Sequence, residues 1–210
     1  MPPDIDAPNK DAIVGVLLAG GLARRMGGGD KCLRPLAGRP LLSHVIERVQ
    51  PQVGHLILNA NGDPARFGAF GLAVVADQIE GFAGPLAGVL AAMDQVRENS
   101  PGAQWLASFP TDAPFLPRDL VARLYREAVA EGAPLACAAS AGRSHPVVGL
   151  WRLDLADNLR RALADEGLRK IDLWTRRHGV VEVAWPTDPI DPFFNANRPE
   201  DLAEAERLLG

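Results

Sequence analysis

The residues with the most chemistry in their types and spacing are Leu18-Ala19-Gly20-Gly21-Leu22-Ala23-Arg24-Arg25-Met26-Gly27-Gly28-Gly29-Asp30-Lys31. Glycines, lacking a Cβ, let backbone N–H groups approach phosphate oxygens closely. Arginine and lysine beside them neutralise phosphate charge, arginine through two parallel hydrogen bonds. The bland alternative is a glycine-rich surface turn with solvated arginines. The whole constellation, placed directly after the apolar run 13–18, favours phosphate binding over that alternative. Two better-known phosphate loops are excluded. A Walker loop needs Gly-Lys-Ser/Thr, but Lys31 stands between Asp30 and Cys32. The dinucleotide fingerprint Gly-x-Gly-x-x-Gly is not supplied by Gly20-Gly21-Leu22.

Further candidates stand where apolar runs stop: Asn59 and Asn61 after 55–58, Asp77 after 72–76, and Asp112 after 105–109. Asp112, with prolines at 110 and 114 to stiffen its backbone, is the metal-ligand candidate. A hard cation such as Mg²⁺ takes one or two protein oxygens and completes its shell with water and substrate phosphates. For each of these residues a turn or helix cap is the competing role. Gly84, in the second glycine-rich loop 81–88, either closes over a nucleotide base or makes a tight connection. Asn195 and Asn197 flank Ala196 just before a helix start at Pro199, where a capping role competes with a binding one. The four histidines, His44, His55, His145 and His178, have no metal-ligand spacing. There is no Gly-x-Ser-x-Gly elbow, so a serine-hydrolase reading has little support. His145 alone lies in a loop resembling a site, and a structural role is favoured for it.

Positioning these residues requires a scaffold, and short apolar runs alternate with helical patterns along the chain. Strands are expected at 13–18, 55–58, 72–76, 105–109 and 135–138, with helices at 41–49, 85–97 and 117–131. Beyond residue 140 the expected elements are a strand at 146–151, helices at 152–165 and 168–177, a strand at 180–184 and a closing helix at 199–209. The strands are continuous apolar runs, as sheets buried on both faces require. The expectation is therefore an α/β, Rossmann-like fold with a mostly parallel central sheet and helices on both faces. Ligands of such sheets bind outside the carboxyl ends of the strands. Residues 1–11 are expected to form a loose tail and residues 12–210 a single domain.

A net charge of −4 gives no electrostatic reason to expect a nucleic acid or an anionic membrane as partner. Hydrophobic residues at 47% and charged residues at 23% are ordinary for a folded soluble protein. Cys32 and Cys137 follow no metal or redox spacing and read as reduced thiols of a cytoplasmic protein. The N-terminus lacks the regions of a signal peptide, and no apolar run spans a bilayer.

Taken together, these residues resemble the molybdenum cofactor guanylyltransferases over about 13–209. The likeness is carried by the 18–31 loop, Asn59-Ala60-Asn61, Gly84-Pro85-Leu86-Ala87-Gly88, Pro110-x-Asp112-x-Pro114-Phe115, His145-Pro146 and Asn195-x-Asn197-x-Pro199-Glu200-Asp201. Cys32 and the long N-terminal tail are departures from what that family leads one to expect. The resemblance implies a nucleotidyltransferase domain in which Leu18, Ala19, Gly20 and Gly21 contact GTP and Lys31 binds its phosphates. It implies that Asn59 and Asp77 serve the nucleoside, with Gly84 beside it, and that Asp112 holds Mg²⁺. Asn195 and Asn197 would lie near the metal or the pterin phosphate, and Arg169 and Lys170 would bind that phosphate or simply start a helix. Gly20-Gly21, where CTP-using relatives carry Leu-Ala-Ala-Gly, favours GTP. The implied reaction moves GMP from GTP to the terminal phosphate of molybdopterin, with or without molybdenum, and releases pyrophosphate. Arg25 and Lys31 would hold the two anions together. A monomer is expected, with molybdoenzyme maturation proteins as further partners. A cytidylyl- or sugar-phosphate nucleotidyltransferase and a non-catalytic nucleotide or pterin carrier remain the alternatives.

Overall fold

The computed structural model describes residues 8–20, 30–79 and 84–209. The first apolar run forms β1 (Ile13–Leu18), buried along its whole length. Successive side chains of a strand point to opposite faces, so Ile13 and Leu17 enter one core and Val14, Val16 and Leu18 another. Gly15 shares the face of Ile13 and Leu17, where a Cβ would meet Leu56 Cδ1 at 2.6 Å.

A hairpin follows, β2 (Pro35–Leu36) and β3 (Arg39–Pro40), then α1 (Leu41–Val49), β4 (His55–Asn59) and β5 (Ala73–Val75). Next come α2 (Pro85–Asn99), β6 (Trp105–Pro110), α3 (Leu120–Ala130), β7 (Leu135–Ser140) and β8 (Arg143–Arg152). The chain ends with α4 (Ala156–Ala164), α5 (Ile171–Arg177), β9 (Val180–Trp185) and α6 (Pro199–Leu209).

Seven strands make one sheet in the order β5-β4-β1-β6-β8-β7-β9. Its pairings are parallel except at β8, which runs antiparallel to both β6 and β7. Leu42, Val45 and Val49 of α1 and Leu120, Val121 and Leu124 of α3 cover one face. Leu86, Leu90 and Met93 of α2, Leu159 and Leu163 of α4 and Trp174 of α5 cover the other. The α/β architecture, mostly parallel with helices on both faces, is the one expected.

Several boundaries differ from expectation. The β2–β3 hairpin was not foreseen because two-residue strands carry no periodicity. β8 starts three residues before position 146, because a two-residue turn joins it to β7. That turn, Ala141-Gly142, has φ of 48° and 73°, and Ala37-Gly38 of the first hairpin has 48° and 76°. Ala-Gly is a weak signal for a turn that normally selects Asn-Gly or Asp-Gly. Helices α3 and α5 begin three residues later than expected. The end of the expected tail carries a short 3₁₀ turn, Lys10–Ala12, capped by Asn9 and tied by Lys10 Nζ to the Pro51 carbonyl at 2.5 Å.

Candidate active site

Register aligns the carboxyl ends of four strands. Leu18 pairs with Asn59 on one side and Pro110 on the other, and Asn59 pairs with Val75. The next residues, Ala19-Gly20, Ala60-Asn61, Ala76-Asp77 and Thr111-Asp112, therefore lie along one sheet edge. The chain order reverses at β1, whose neighbours are β4 and β6. A crevice opens outside the sheet at such a reversal.

There the protein has a cavity of about 620 Å³, lined by Leu18, Ala19, Gly20, Asn59, Asp77, Gly84 and Asp112 together with Asp30, Asn61, Arg66, Pro85 and Val147. That size is normal for a small-ligand site. Seven of the expected nucleotide-binding residues are thus brought together. Gly21 and Arg25 lie outside the described residues, as does Arg24.

Asn59 is buried at the tip of β4, and its Nδ2 donates to the Val75 carbonyl at 3.1 Å and to Asp77 Oδ1 at 2.9 Å. Asn61 Nδ2 donates to Asp77 Oδ2 at 2.8 Å, and Asn61 Oδ1 accepts the Asp77 N–H at 2.8 Å. Both carboxylate oxygens of Asp77 are therefore oriented by amides, so the acid is fixed in place rather than free to cap a turn. α2 crosses directly over this network at Gly88, where a Cβ would collide with the Asn59 amide. The glycine is required for the helix to approach.

Asp30 and Arg66 were not foreseen as site residues. Arg66 Nε donates to Asp30 Oδ2 at 2.6 Å, and its Nη2 donates to the Asn61 carbonyl at 2.5 Å. Nothing in the spacing around Arg66 marks it, because its partners come from two other segments. The Asx cap at Asp63, which accepts the Ala65 N–H at 2.9 Å, was the sole local clue that this turn is fixed.

Lys31 and Asp112, 81 positions apart, form a direct ion pair. Lys31 Nζ also donates to Asn197 Oδ1 at 2.7 Å. The segment carrying Asn197 is strapped to the same loop, since the Ala196 N–H donates to the Asp112 carbonyl at 2.9 Å. Asp201 then accepts from the N–H groups of Asn197 and Arg198, each at 2.8 Å. This strap positions Asn197, and α6 anchors it by packing Ala205 and Leu202 against Leu36, Leu41 and Phe115.

A second cavity of about 330 Å³ adjoins the first and shares Asp112 and Val147 with it. Asn195, Asn197, Arg143, Ser144 and His145 line it, with Phe193 and the Pro110 end of β6. It exists because β8 leaves the sheet. Pairing of β8 with β6 stops at Ser108–Gly149, and its pairing with β7 jumps from Cys137–Gly149 to Ala138–His145. Residues 146–148 thus have no partner on β7, a bulge of the kind that re-aims side chains beside functional sites. Arg169 and Lys170 are not among the described residues that line either cavity. The Arg169 carbonyl lies instead beside Gly84, 3.9 Å from where a Cβ would sit, and Lys170 is the cap residue of α5.

Burial pushes the Cys32 thiol up to about 11, with Asp30 adding to the effect, so this cysteine beside the site is a neutral packing group. Cys137 is likewise a buried free thiol, raised to about 12. Asp112 suits a divalent cation. It is a carboxylate with 16% of its side chain exposed, it faces both cavities, and its present companion is itself a cation. Among the described residues no three acidic, histidine or cysteine groups cluster as a cage. A cation there would therefore depend on ligand oxygens, the pattern of Mg²⁺ at phosphate sites.

Known proteins are similar to this chain in sequence and in fold. Residues 15–179 match the family model for the MobA-like NTP transferase domain. A molybdenum cofactor guanylyltransferase of Bradyrhizobium sp. (strain ORS 278) is 60% identical over 94% of this chain and 93% of its own length. Another, from Rhizobium meliloti (strain 1021), is 45% identical over 92% of this chain and 90% of its own. Among solved structures, molybdopterin-guanine dinucleotide biosynthesis protein A from Archaeoglobus fulgidus superposes with a TM-score of 0.71 at 25% identity, covering 93% of this chain and 98% of that one. Glycine-rich loop, aligned strand ends, lysine–aspartate pair and sequence identity thus agree, and the chain belongs to the MobA-like nucleotidyltransferases, within the molybdenum cofactor guanylyltransferase family.

Proposed function

We propose that the protein transfers GMP from GTP to the terminal phosphate of molybdopterin, with or without bound molybdenum, and releases pyrophosphate. The observation that carries this reading is the Lys31–Asp112–Asn197 cluster at the junction of two adjoining cavities. The larger cavity takes the nucleotide and the smaller takes the acceptor, so their phosphates meet at Asp112.

In this reading Asn59 and the doubly held Asp77 orient the nucleoside, while the 18–31 loop, including Gly21 and Arg25, surrounds the triphosphate. An oxygen of the acceptor phosphate attacks the α-phosphorus; the new P–O bond forms as the bond to pyrophosphate breaks. The nucleophile is already an anion, so no strong general base is needed. The protein's contribution is positioning and charge neutralisation. When bound, Mg²⁺ at Asp112 would offset the charge of the triphosphate oxygens. Lys31 would then turn from Asp112 to the phosphates, its long flexible stem permitting the exchange. Asn195 and Asn197 orient the acceptor, with Arg169 and Lys170 kept for a phosphate that reaches the Gly84 end of the first cavity. The reading includes a cytoplasmic monomer that hands its product to molybdoenzyme maturation proteins.

The test is pyrophosphate release from purified protein with molybdopterin, Mg²⁺ and each nucleoside triphosphate in turn. Release confined to GTP is expected. Release confined to CTP would move the protein to cytidylyl transfer, and none with any triphosphate would leave a binding module.

A further inference from the structure

His145, in the lining of the second cavity, leads back into a line of side chains that nucleotide and metal do not use. Ser140, 3% exposed at the end of β7, places its Oγ 2.8 Å from His145 Nε2 and 3.1 Å from Asp191 Oδ2. A serine hydroxyl has one proton to give, and an ionised carboxylate only accepts. Ser140 therefore donates to Asp191, and His145 Nε2–H must be the donor to Ser140. Asp191 is itself held, its Oδ1 accepting the Phe193 N–H at 2.9 Å. The Phe193 ring lies 4.9 Å from the imidazole. With Nε2 committed, Nδ1 is the one ring nitrogen left for a ligand in the cavity that His145 lines.

We propose that His145 binds the acceptor directly, its Nδ1 sharing a single proton with an oxygen of a phosphate monoester. The proposal rests on the second cavity being the acceptor's side of the guanylyl-transfer site. Burial holds His145 below the ordinary histidine range, against the upward pull of Asp191 and with a further downward push from Arg143. The free imidazole is thus neutral at pH 7, with a lone pair on Nδ1. A phosphate monoester loses its second proton near pH 6. Above that value a neutral imidazole and a dianion would present lone pairs to each other, so their union takes up one proton. The charged groups around His145 are Arg143 on its own strand, Asp191 on the segment before α6, Asp112 in the lining of the same cavity, and Glu182 on β9, which accepts from the Ser144 hydroxyl. Arg143 lines the same cavity and supplies the positive charge that a dianion requires.

The experiment is ¹⁵N-imidazole NMR on the metal-free full chain, titrated with inorganic phosphate between pH 6.5 and 8.5. Before addition, His145 should show the Nε2–H tautomer. Phosphate should then move its Nδ1 resonance, with affinity falling about tenfold per pH unit in the alkaline half, the slope for uptake of one proton. In His145→Gln, whose amide donates at every pH, that slope should disappear. Ser140→Ala should keep the phosphate response but lose the fixed tautomer. An Nδ1–H tautomer in the free protein, an Nδ1 resonance that phosphate does not move, or an unchanged slope in His145→Gln would each overturn the proposal. GTP affinity, measured by calorimetry on the same samples, tells the two readings apart. Lost GTP binding by the unsubstituted protein sinks guanylyl transfer, whereas failure of the phosphate response alone sinks only His145.

Discussion

At the scale of single residues, Lys31 sits where a cation is needed. Its ammonium donates to Asp112, which lines both cavities, and to Asn197, which lines the smaller one, so a metal ion entering at Asp112 competes with it. Removing that charge in Lys31→Ala should raise the affinity of Asp112 for Mn²⁺ alone by roughly tenfold or more, given the strength of close charge pairs near a protein surface. It should also weaken GTP binding. Electron paramagnetic resonance titration of free Mn²⁺ and calorimetry of GTP read the two effects separately, and unchanged Mn²⁺ affinity would contradict the competition. Asp112→Ala should keep its fold by circular dichroism and lose turnover by about 10² to 10³, the usual cost of removing one electrostatic stabiliser. Near-normal Mg²⁺-dependent pyrophosphate release in that variant would remove Asp112 from the site.

At the scale of elements, the nucleotide edge depends on how closely α2 approaches β4. Gly88→Ala places a methyl on the Asn59 amide, so either α2 shifts or Asn59 turns away from Asp77. Overpacking of this kind costs about 1–3 kcal/mol, which urea unfolding should register together with weaker GTP binding. Gly102→Ala is the matched control, since a Cβ there meets nothing within 4 Å; an equal loss in both variants would show that packing at Asn59 is not the cause. The bulge in β8 acts at the same scale. Continuous pairing of residues 146–148 with β7 would draw Val147 into the sheet and close the second cavity.

For the whole molecule, two half-buried histidines set a pH response. Burial lowers His145 and His178 from the ordinary value, Arg177 adding to the effect at His178. The unfolded chain then binds more protons than the folded one below about pH 6.5, and stability rises with pH wherever that holds. The contribution is complete above the unfolded value and is lost as pH falls toward the folded ones. The urea midpoint should therefore drop between pH 7.5 and 5.5, and drop less in His178→Gln, whose ring otherwise lies 4.5 Å from Trp174. An identical drop in both proteins would assign the response to other groups. Asp157, held low by its hydrogen bond to Arg97, acts only in the acid range of carboxylates.

Apart from the β2–β3 hairpin, the strands and α-helices of the first 140 residues were legible in the sequence, because a sheet buried on both faces writes itself as uninterrupted apolar runs. So were Leu18, Asn59, Asp77 and Asp112, each the polar punctuation, or the last residue before it, where such a run stops. Arg66 and Asp30 were not, and neither was the Ser140–His145–Asp191 line, since their partners come from segments far apart in the chain and leave no periodic trace. Local composition also could not say that Lys31 meets Asp112, that residues 146–148 step out of the sheet, or that Arg169 settles beside Gly84. Hydrophobic patterning depends on neighbours along the chain and survives in one dimension. A binding site depends on which strand ends share an edge, and strand order and register, which decide that, exist only once the chain has folded.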